Sequence, residues 1–141
     1  MLFFKDIDVK EKTVFIRVDF NVPLNDRGEI TDDTRIKAAL PTLKHLLEKN
    51  AKIVAASHLG RPKGQKDPKL SLKLVAKRLS QLLSQNVGMA PDCTGEKVDE
   101  LKSALKPGHI LMLENLRFDK GEKSNDDAFA RKLASGIDIY I

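Results

Sequence analysis

The amino-acid sequence predicts an α/β fold in which helices cover both faces of a parallel sheet. Short apolar runs rich in β-branched residues alternate with helical stripes along the chain, and this alternation requires parallel pairing. The length of 141 residues and the 41% hydrophobic content suit one domain with a sizeable core. The sequence shows no internal repeat and no linker, so we expect a single folded unit.

The first part of the chain is predicted to hold two strands with a long helix between them. Residues 13–18 are β-branched and aromatic, and residues 52–56 form a second apolar run, so both are predicted strands. Residues 34–50 are predicted to be helical, and Pro41 is expected to kink this helix or to mark a restart. The apolar stripe of the helix consists of Ile36, Leu40, Leu43 and Leu47.

Two further helices and a short strand are predicted in the middle of the chain. Residues 60–68 are rich in glycine and proline and are predicted to form a loop, after which Ser71 is the expected N-cap of a helix. A short strand is predicted within residues 86–91, and a short helix over residues 96–105. The buried face of the helix after Ser71 is predicted to consist of Leu72, Val75, Leu79 and Leu82.

The last segment is predicted to contain a buried strand, a helix and the start of another strand. Residues 109–113 are the strand, and Asn125 caps the helix, with two aspartates favourable in its first turn. The sequence then stops within the apolar run 137–141, where a chain end would leave a sheet edge unprotected. We therefore expect a Rossmann-like sheet that is incomplete at its C-terminal end, in a fragment of a longer protein.

Composition and motifs exclude several classes of function. The one cysteine, Cys93, excludes a disulfide framework and a cysteine zinc site, and it indicates a reduced thiol in a cytoplasmic protein. The sequence has neither a secretory signal nor an apolar run long enough for a membrane helix. Metal-ligand clusters, the G-x-x-x-x-G-K phosphate loop and the G-x-G-x-x-G pattern are absent. The net charge of +5 permits a nucleic-acid partner, but the lack of tryptophan and the single tyrosine argue against base stacking.

Polar side chains follow three predicted strands and open the first helix. In an open parallel sheet, ligands bind beyond the carboxyl ends of the strands, so these side chains are expected to converge. Arginine presents a planar fork that fits carboxylate or phosphate oxygens, and a carboxylate or an amide can bind hydroxyl groups. The candidate residues are Asp19, Asn21, Arg35, His58, Arg61 and Arg117. They predict a site for a small, highly anionic ligand.

Each candidate also has a purely structural interpretation. A single arginine at a strand end is usually a surface ion pair, Asp19 can be a turn former, and His58 can be a structural histidine. His45 and His109 are predicted to be structural. Cys93 has no histidine or metal-spaced partner nearby in sequence and is predicted to be inert.

Four segments in series resemble the N-terminal domain of phosphoglycerate kinase. The similarity runs in order over essentially the whole chain, and four motifs at these spacings are highly specific. The segments are 17–23 (RVDFNVP), 31–36 (TDDTRI), 57–64 (SHLGRPKG) and 114–118 (ENLRF), with further similarity at 92–95 (DCTG) and 127–130 (DAFA).

This resemblance implies a two-domain enzyme of glycolysis and gluconeogenesis. Such an enzyme transfers a phosphoryl group between 1,3-bisphosphoglycerate and ADP, giving 3-phosphoglycerate and ATP. Residues 1–141 would be part of the N-terminal, phosphoglycerate-binding domain, and the nucleotide-binding domain for Mg-ATP or Mg-ADP would be absent from this chain. We therefore expect no bound cofactor or metal and no kinase activity for this chain alone. The full-length enzyme is expected to be a cytoplasmic monomer without nucleic-acid or membrane partners.

The resemblance also implies roles for the candidate residues. Arg35 is expected beside the transferring group as a preorganised cation, because phosphoryl transfer depends on positioning and charge cancellation. Asp19 and Asn21 would contact the hydroxy-acid end of the substrate, and His58, Arg61 and Arg117 would hold its phosphate. Two alternatives remain open at this point: a non-catalytic anion-binding α/β module, and a nucleic-acid-binding domain indicated only by the pI of about 9.3.

Overall fold

The computed structural model describes residues 7–62, 67–119 and 127–141, and it contains a five-stranded sheet that is parallel throughout. The strands are β1 (Thr13–Arg17), β2 (Lys52–Ala56), β3 (Val87–Met89), β4 (Ile110–Met112) and β5 (Ile139–Tyr140). Their order in the sheet is β3-β4-β2-β1-β5. The predicted α/β class is therefore confirmed, and each predicted strand is present.

The helices lie where hydrophobic periodicity predicts them. They are α1 (Thr34–Glu48), α2 (Lys73–Leu83), α3 (Glu96–Ala104) and α4 (Asp127–Ala134), with two short 3-10 helices at Pro68–Leu70 and Leu116–Phe118 that were not predicted. The predicted cap Asn125 lies outside the described residues. None of the helices described is long and apolar enough to cross a membrane.

Two packed clusters of apolar side chains cover opposite faces of the sheet. Successive residues of β1 alternate between them: Val14 and Ile16 join the cluster that includes α1 and α2, whereas Phe15 joins the cluster that includes α3 and α4. This alternation follows from the two-residue period of a strand. The prediction that helices cover both faces of the sheet is therefore confirmed.

Pro41 does not mark a restart of α1, so that one of the two alternatives was wrong, and the kink stays a prediction. The helix continues from Thr34 to Glu48, and Pro41 lies on its exposed side. Proline has no N–H, so the carbonyl of Lys37, four residues earlier, has no donor within the helix. Lys37 is also exposed, so water can donate to this carbonyl. The predicted stripe is shifted slightly, because Leu46 is fully buried while Leu40 and Leu47 are only partly buried.

Ser71 is not the N-cap of α2. The helix begins at Lys73, one residue later than that prediction requires, and its N-cap residue is Leu72. The Ser71 hydroxyl accepts a hydrogen bond from the Lys73 N–H (3.2 Å), and the Glu114 carboxylate accepts from Leu72 N–H (2.8 Å) and from Ser71 Oγ (2.7 Å). A carboxylate near a helix N-terminus is favourable because of the helix dipole. Glu114 therefore connects the end of β4 to the start of α2.

Lys102 of α3 is buried, although lysine is rarely found in a protein interior. Only 4% of the residue is exposed, and its Nζ donates to the carbonyl oxygens of Leu133 (3.0 Å) and Ser135 (3.1 Å) at the end of α4. These are carbonyls that a helix end leaves unsatisfied, so the lysine caps α4. Burial lowers the pKa of Lys102, and the charge of Asp99 partly opposes this shift.

The outer strand β5 is joined to β1 at both backbone and side-chain level. The N–H of Thr13 donates to the Asp138 carboxylate (2.8 Å), and the Asp138 N–H donates to the carbonyl of Thr13 (2.9 Å). Two residues further along both strands, the rings of Phe15 and Tyr140 stack with centroids 4.8 Å apart. These contacts bring the beginning and the end of the described chain together.

Candidate functional site

The carboxyl ends of β1, β2 and β4 lie side by side, because these strands are adjacent and parallel in the order β4-β2-β1. The loops that follow them carry the predicted site residues Asp19 and Asn21, His58 and Arg61, and Arg117, respectively. Ligands of open parallel sheets bind at this edge. The structure thus places the loops that carry these residues at one edge of the sheet, and their convergence on one ligand stays a prediction.

Asp19, Asn21 and Arg35 are in direct contact. Arg35 Nη1 lies 3.5 Å from Asp19 Oδ1 and also donates a hydrogen bond to the carbonyl oxygen of Asn21. The Asn21 N–H in turn donates to Asp19 Oδ1 (3.1 Å). The side chains of Arg35 and Asp19 are 51% and 64% exposed, so both can meet a ligand from solvent. Arg35 borders a hollow of about 530 Å³, whose other lining residues are Asn21, Val22, Pro23, Asp32 and Thr34.

The start of α1, which carries Arg35, is held by two aspartates. Asp32 accepts hydrogen bonds from the backbone N–H (2.8 Å) and the hydroxyl of Thr34, and these bonds lower the pKa of Asp32. Asp33 accepts a hydrogen bond from Arg78 of α2 (2.8 Å), which is the main reason why the pKa of Asp33 is lowered. The helix start is therefore attached both to its own first turn and to the neighbouring helix.

Hydrogen bonds join the loop after β1 to the loop after β2. Asn21 Oδ1 accepts from the N–H of Gly60 (2.9 Å), the residue immediately before Arg61. The buried hydroxyl of Ser57 accepts from the N–H of Phe20 (3.0 Å). The backbone next to Arg61 is thus placed beside the group formed by Asp19, Asn21 and Arg35.

The geometry of this junction favours glycine at position 60. The φ of Gly60, +61°, lies in the left-handed region, which favours glycine. A Cβ atom at this position would also lie 2.7 Å from Leu70 Cδ2, closer than carbon atoms can approach without movement. The loop that carries Arg61 therefore packs closely on the chain that leads into α2.

The loops after β2 and β4 are joined by one fully buried side chain, that of Asn115. Its Oδ1 accepts from the N–H groups of Leu59 (3.2 Å) and Arg117 (3.0 Å). Its Nδ2 donates to the carbonyls of Leu59 (2.7 Å) and Leu70 (2.9 Å). The backbone beside His58 is thereby connected to the backbone of Arg117.

Sequence reasoning missed Asn115, Ser57 and Glu114 as organising residues of the site. Each is a polar residue within three positions of the end of a buried strand, which is the one signal that could have singled them out. Cys93 is a buried free thiol whose Sγ lies within hydrogen-bond distance of the carbonyls of Glu114 (3.0 Å) and Asn115 (3.2 Å), and its inertness stays a prediction. Within the described ranges, no cluster of histidine, cysteine and carboxylate side chains could hold a metal ion.

The fold and this edge define an α/β protein whose neighbouring strand-end loops carry basic, amide and carboxylate side chains suited to a small anion. Comparison with protein-family models then identifies the family. The phosphoglycerate kinase model matches residues 4–141, and the chain belongs to this family.

Similar proteins support the same assignment. The chain is 57% identical over 134 residues to the phosphoglycerate kinase of Geotalea daltonii. The aligned residues cover 95% of this chain and 34% of that protein. It is 58% identical over 136 residues to the cytosolic phosphoglycerate kinase of Triticum aestivum, with 96% and 34% covered. The crystal structure of phosphoglycerate kinase from Pyrococcus horikoshii matches 99% of the chain with a TM-score of 0.89 and 36% identity, over 36% of its own length. The chain thus spans about a third of the length of these relatives.

Proposed function

We propose that this chain is the phosphoglycerate-binding part of a phosphoglycerate kinase, which transfers a phosphoryl group between 1,3-bisphosphoglycerate and ADP to give 3-phosphoglycerate and ATP. Family membership supports the reaction, and the coverage of one third supports a part of a longer enzyme. The observation that carries the proposal is the contact of Arg35 with Asp19 and Asn21 beside the loops of the other candidate residues.

The binding roles follow from the chemistry of the side chains. His58, Arg61 and Arg117 hold the phosphate of the substrate, with the guanidinium groups donating paired hydrogen bonds to its oxygens. Asp19 accepts a hydrogen bond from the hydroxyl group, and Asn21 contacts the same end of the substrate. Cations alone would bind inorganic phosphate as well, so the carboxylate and the amide provide selectivity for a hydroxy acid.

Arg35 is the proposed catalytic residue. Phosphoryl transfer spreads negative charge over the equatorial oxygens of the transferring group, and a preorganised cation beside them stabilises the transition state. The contacts with Asp19 and Asn21 hold the guanidinium in place before the substrate arrives. Closure onto the nucleotide-binding domain would exclude water, which strengthens this interaction and protects the acyl phosphate from hydrolysis.

Mg-ATP and Mg-ADP are the nucleotide substrates, and we propose that a second domain binds them. Residues 1–141 are then part of the N-terminal domain, and they are inactive as a kinase alone because they do not hold the nucleotide. The complete enzyme is proposed to be a cytoplasmic monomer that binds neither membrane nor nucleic acid. An intact-mass measurement of the gene product tests whether the polypeptide contains further residues after Ile141.

The proposed binding function is tested by titrating residues 1–141 with 3-phosphoglycerate while recording backbone amide NMR shifts. We expect shifts in residues 19–21, 58–61 and 117, with weaker binding at higher salt because charge drives it. Arg61→Ala should weaken this binding. Lys44→Ala, which removes an exposed cation from α1, is the matched control. Equal binding of inorganic sulfate and 3-phosphoglycerate would favour a non-catalytic anion-binding module. Shifts confined to other surfaces would contradict the proposed site.

A further inference from the structure

We propose that Asn115 is a positioning residue for phosphoglycerate binding, which sets the arrangement of the loops after β2 and β4. This inference rests on the proposed function, because it concerns the side chains that would hold the substrate. Asn115 itself lies beneath the site and does not reach solvent, since none of its surface is exposed. It would therefore act on the substrate only through the residues that it holds.

The first step concerns the hydrogen-bonding capacity of the Asn115 side chain. Its oxygen accepts two hydrogen bonds and its nitrogen donates two, so all four are directed at backbone groups of the protein. Only a carboxamide has two acceptor positions and two donors in this shape; a carboxylate lacks the donors, and leucine lacks both. The site therefore requires an amide, and neither another polar group nor an apolar side chain of similar size can replace it.

The second step concerns which backbone groups are held. Asn115 bonds both the N–H and the C=O of Leu59, so the peptide groups on both sides of Leu59 are fixed in position. The residue before is His58, and the residues after are Gly60 and Arg61. The same oxygen that accepts from Leu59 also accepts from Arg117. One atom therefore links the backbones of two loops that carry proposed phosphate-binding side chains.

The third step concerns the Leu70 carbonyl, the remaining partner of Asn115. The side chain of Leu70 packs so closely on Gly60 that a methyl group there would lie 2.7 Å from its Cδ2 atom. Asn115 thus supports the loop from two directions, through Leu59 directly and through Leu70 behind Gly60. Loss of the amide would free Arg61 and Arg117 to move relative to each other, and they could no longer hold one phosphate together at fixed spacing.

The test compares two variants of Asn115 with a control in residues 1–141. Asn115→Ala removes all four hydrogen bonds, and Asn115→Asp keeps the acceptors. Leu46→Ala is the control, because Leu46 is also fully buried but lies near the C-terminal end of α1, far along the helix from Arg35. Thermal unfolding is measured for each variant, and binding of 3-phosphoglycerate is measured by calorimetry at a temperature at which all are folded.

We expect Asn115→Ala to raise the Kd for 3-phosphoglycerate by at least about tenfold. This is the smallest loss of affinity that is typical when the hydrogen-bonding partner of a metal ligand is removed. Leu46→Ala should lower the melting temperature but leave the Kd within about twofold, because Leu46 lies near the end of α1 that is remote from Arg35. If Asn115→Ala changes the Kd no more than Leu46→Ala does, the positioning role is wrong while the proposed function stands. If the unmodified chain does not bind 3-phosphoglycerate, both proposals fail.

The pH dependence of Asn115→Asp provides a readout that general destabilisation would not produce. Burial raises the pKa of a carboxyl group, and its protonated form has an acceptor and a donor like the amide. The ratio of the Kd values of Asn115→Asp and the unmodified chain should therefore fall as the pH is lowered from 7.5 to about 5.5. Glu114, His58, Arg117 and the substrate phosphate are common to both proteins and cancel in this ratio. A ratio that does not change with pH would contradict the role of the amide donors, even if Asn115→Ala does not fold.

Discussion

Replacing Asp19 with asparagine should change the ligand selectivity of the site. Asp19 is an anion 3.5 Å from the guanidinium of Arg35, so it opposes the binding of any second anion there. In the proposed function it compensates by accepting a hydrogen bond from the substrate hydroxyl. Asp19→Asn removes the charge but keeps the size of the side chain. The variant should therefore bind simple anions more tightly and the hydroxy acid more weakly.

The size of both effects can be estimated from the geometry. An anion on the far side of the Arg35 guanidinium would lie about 7 Å from the Asp19 carboxylate, and in water a dianion there is repelled by about 1.2 kcal/mol. This energy corresponds to about a sevenfold change in Kd at low salt, which screening at 0.15 M reduces to about twofold. A hydrogen bond to a charged group contributes about 1.5–3 kcal/mol, or roughly 10- to 150-fold in Kd.

Calorimetric titrations of residues 1–141 with inorganic phosphate and with 3-phosphoglycerate, at about 10 mM and 150 mM salt, measure these effects. We expect tighter phosphate binding by Asp19→Asn, most clearly at low salt, and weaker 3-phosphoglycerate binding at both salt concentrations. Asp8→Asn, a substitution of another exposed aspartate outside the site, is the matched control for the change in net charge. If phosphate and 3-phosphoglycerate both bind more weakly, the role of Asp19 in holding Arg35 outweighs its repulsion of a bound anion, and the selectivity argument is refuted.

Two further predictions concern catalysis and stability. In the complete gene product, Arg35→Ala should lower kcat by about 10³-fold or more with a smaller change in KM, whereas Arg61→Ala should chiefly raise KM; steady-state kinetics would contradict this if Arg35→Ala mainly raised KM. Lys102→Met should lower the free energy of unfolding by about 2 kcal/mol, measured with urea, since two hydrogen bonds to an ammonium are lost while the cost of burying its charge is relieved. Burial lowers the pKa of Lys102 below 10.5 in the folded chain, so the unfolded chain binds more protons as the pH rises towards 10.5. Over this range the unmodified chain should therefore gain stability relative to Lys102→Met. A constant difference in the free energy of unfolding between the two proteins would contradict this.

The sequence allowed the strands, the helices and the edge that carries the candidate site to be predicted. Strand and helix periodicities are local, so runs such as residues 13–18 and 34–50 show them directly. The clustering of the candidate residues required one additional rule, that the carboxyl ends of neighbouring parallel strands meet at one edge. That rule placed Arg35, Arg61 and Arg117 near the same edge without any knowledge of their contacts.

The connections beneath the site could not be predicted, because their partners are distant in the sequence. Asn115 binds Leu59 across 56 residues, and Ser71 binds Glu114 across 43. Their position after a buried strand could single out Asn115 and Glu114, but it does not show that these side chains face inwards or which backbone groups they bind. Lys102 was missed for a related reason, since an ammonium group becomes compatible with burial only when the end of another helix supplies its acceptors.

The pairing of β1 with β5 imposes a delay on folding during protein synthesis. The two strands that Thr13 and Asp138 join are separated by 125 residues. Translation at about 5–20 residues per second needs roughly 6–25 s to produce that length. Throughout this interval one edge of β1 has no neighbouring strand and is open to segments of other nascent chains. The speed of the ribosome therefore determines how long this edge stays open to aggregation.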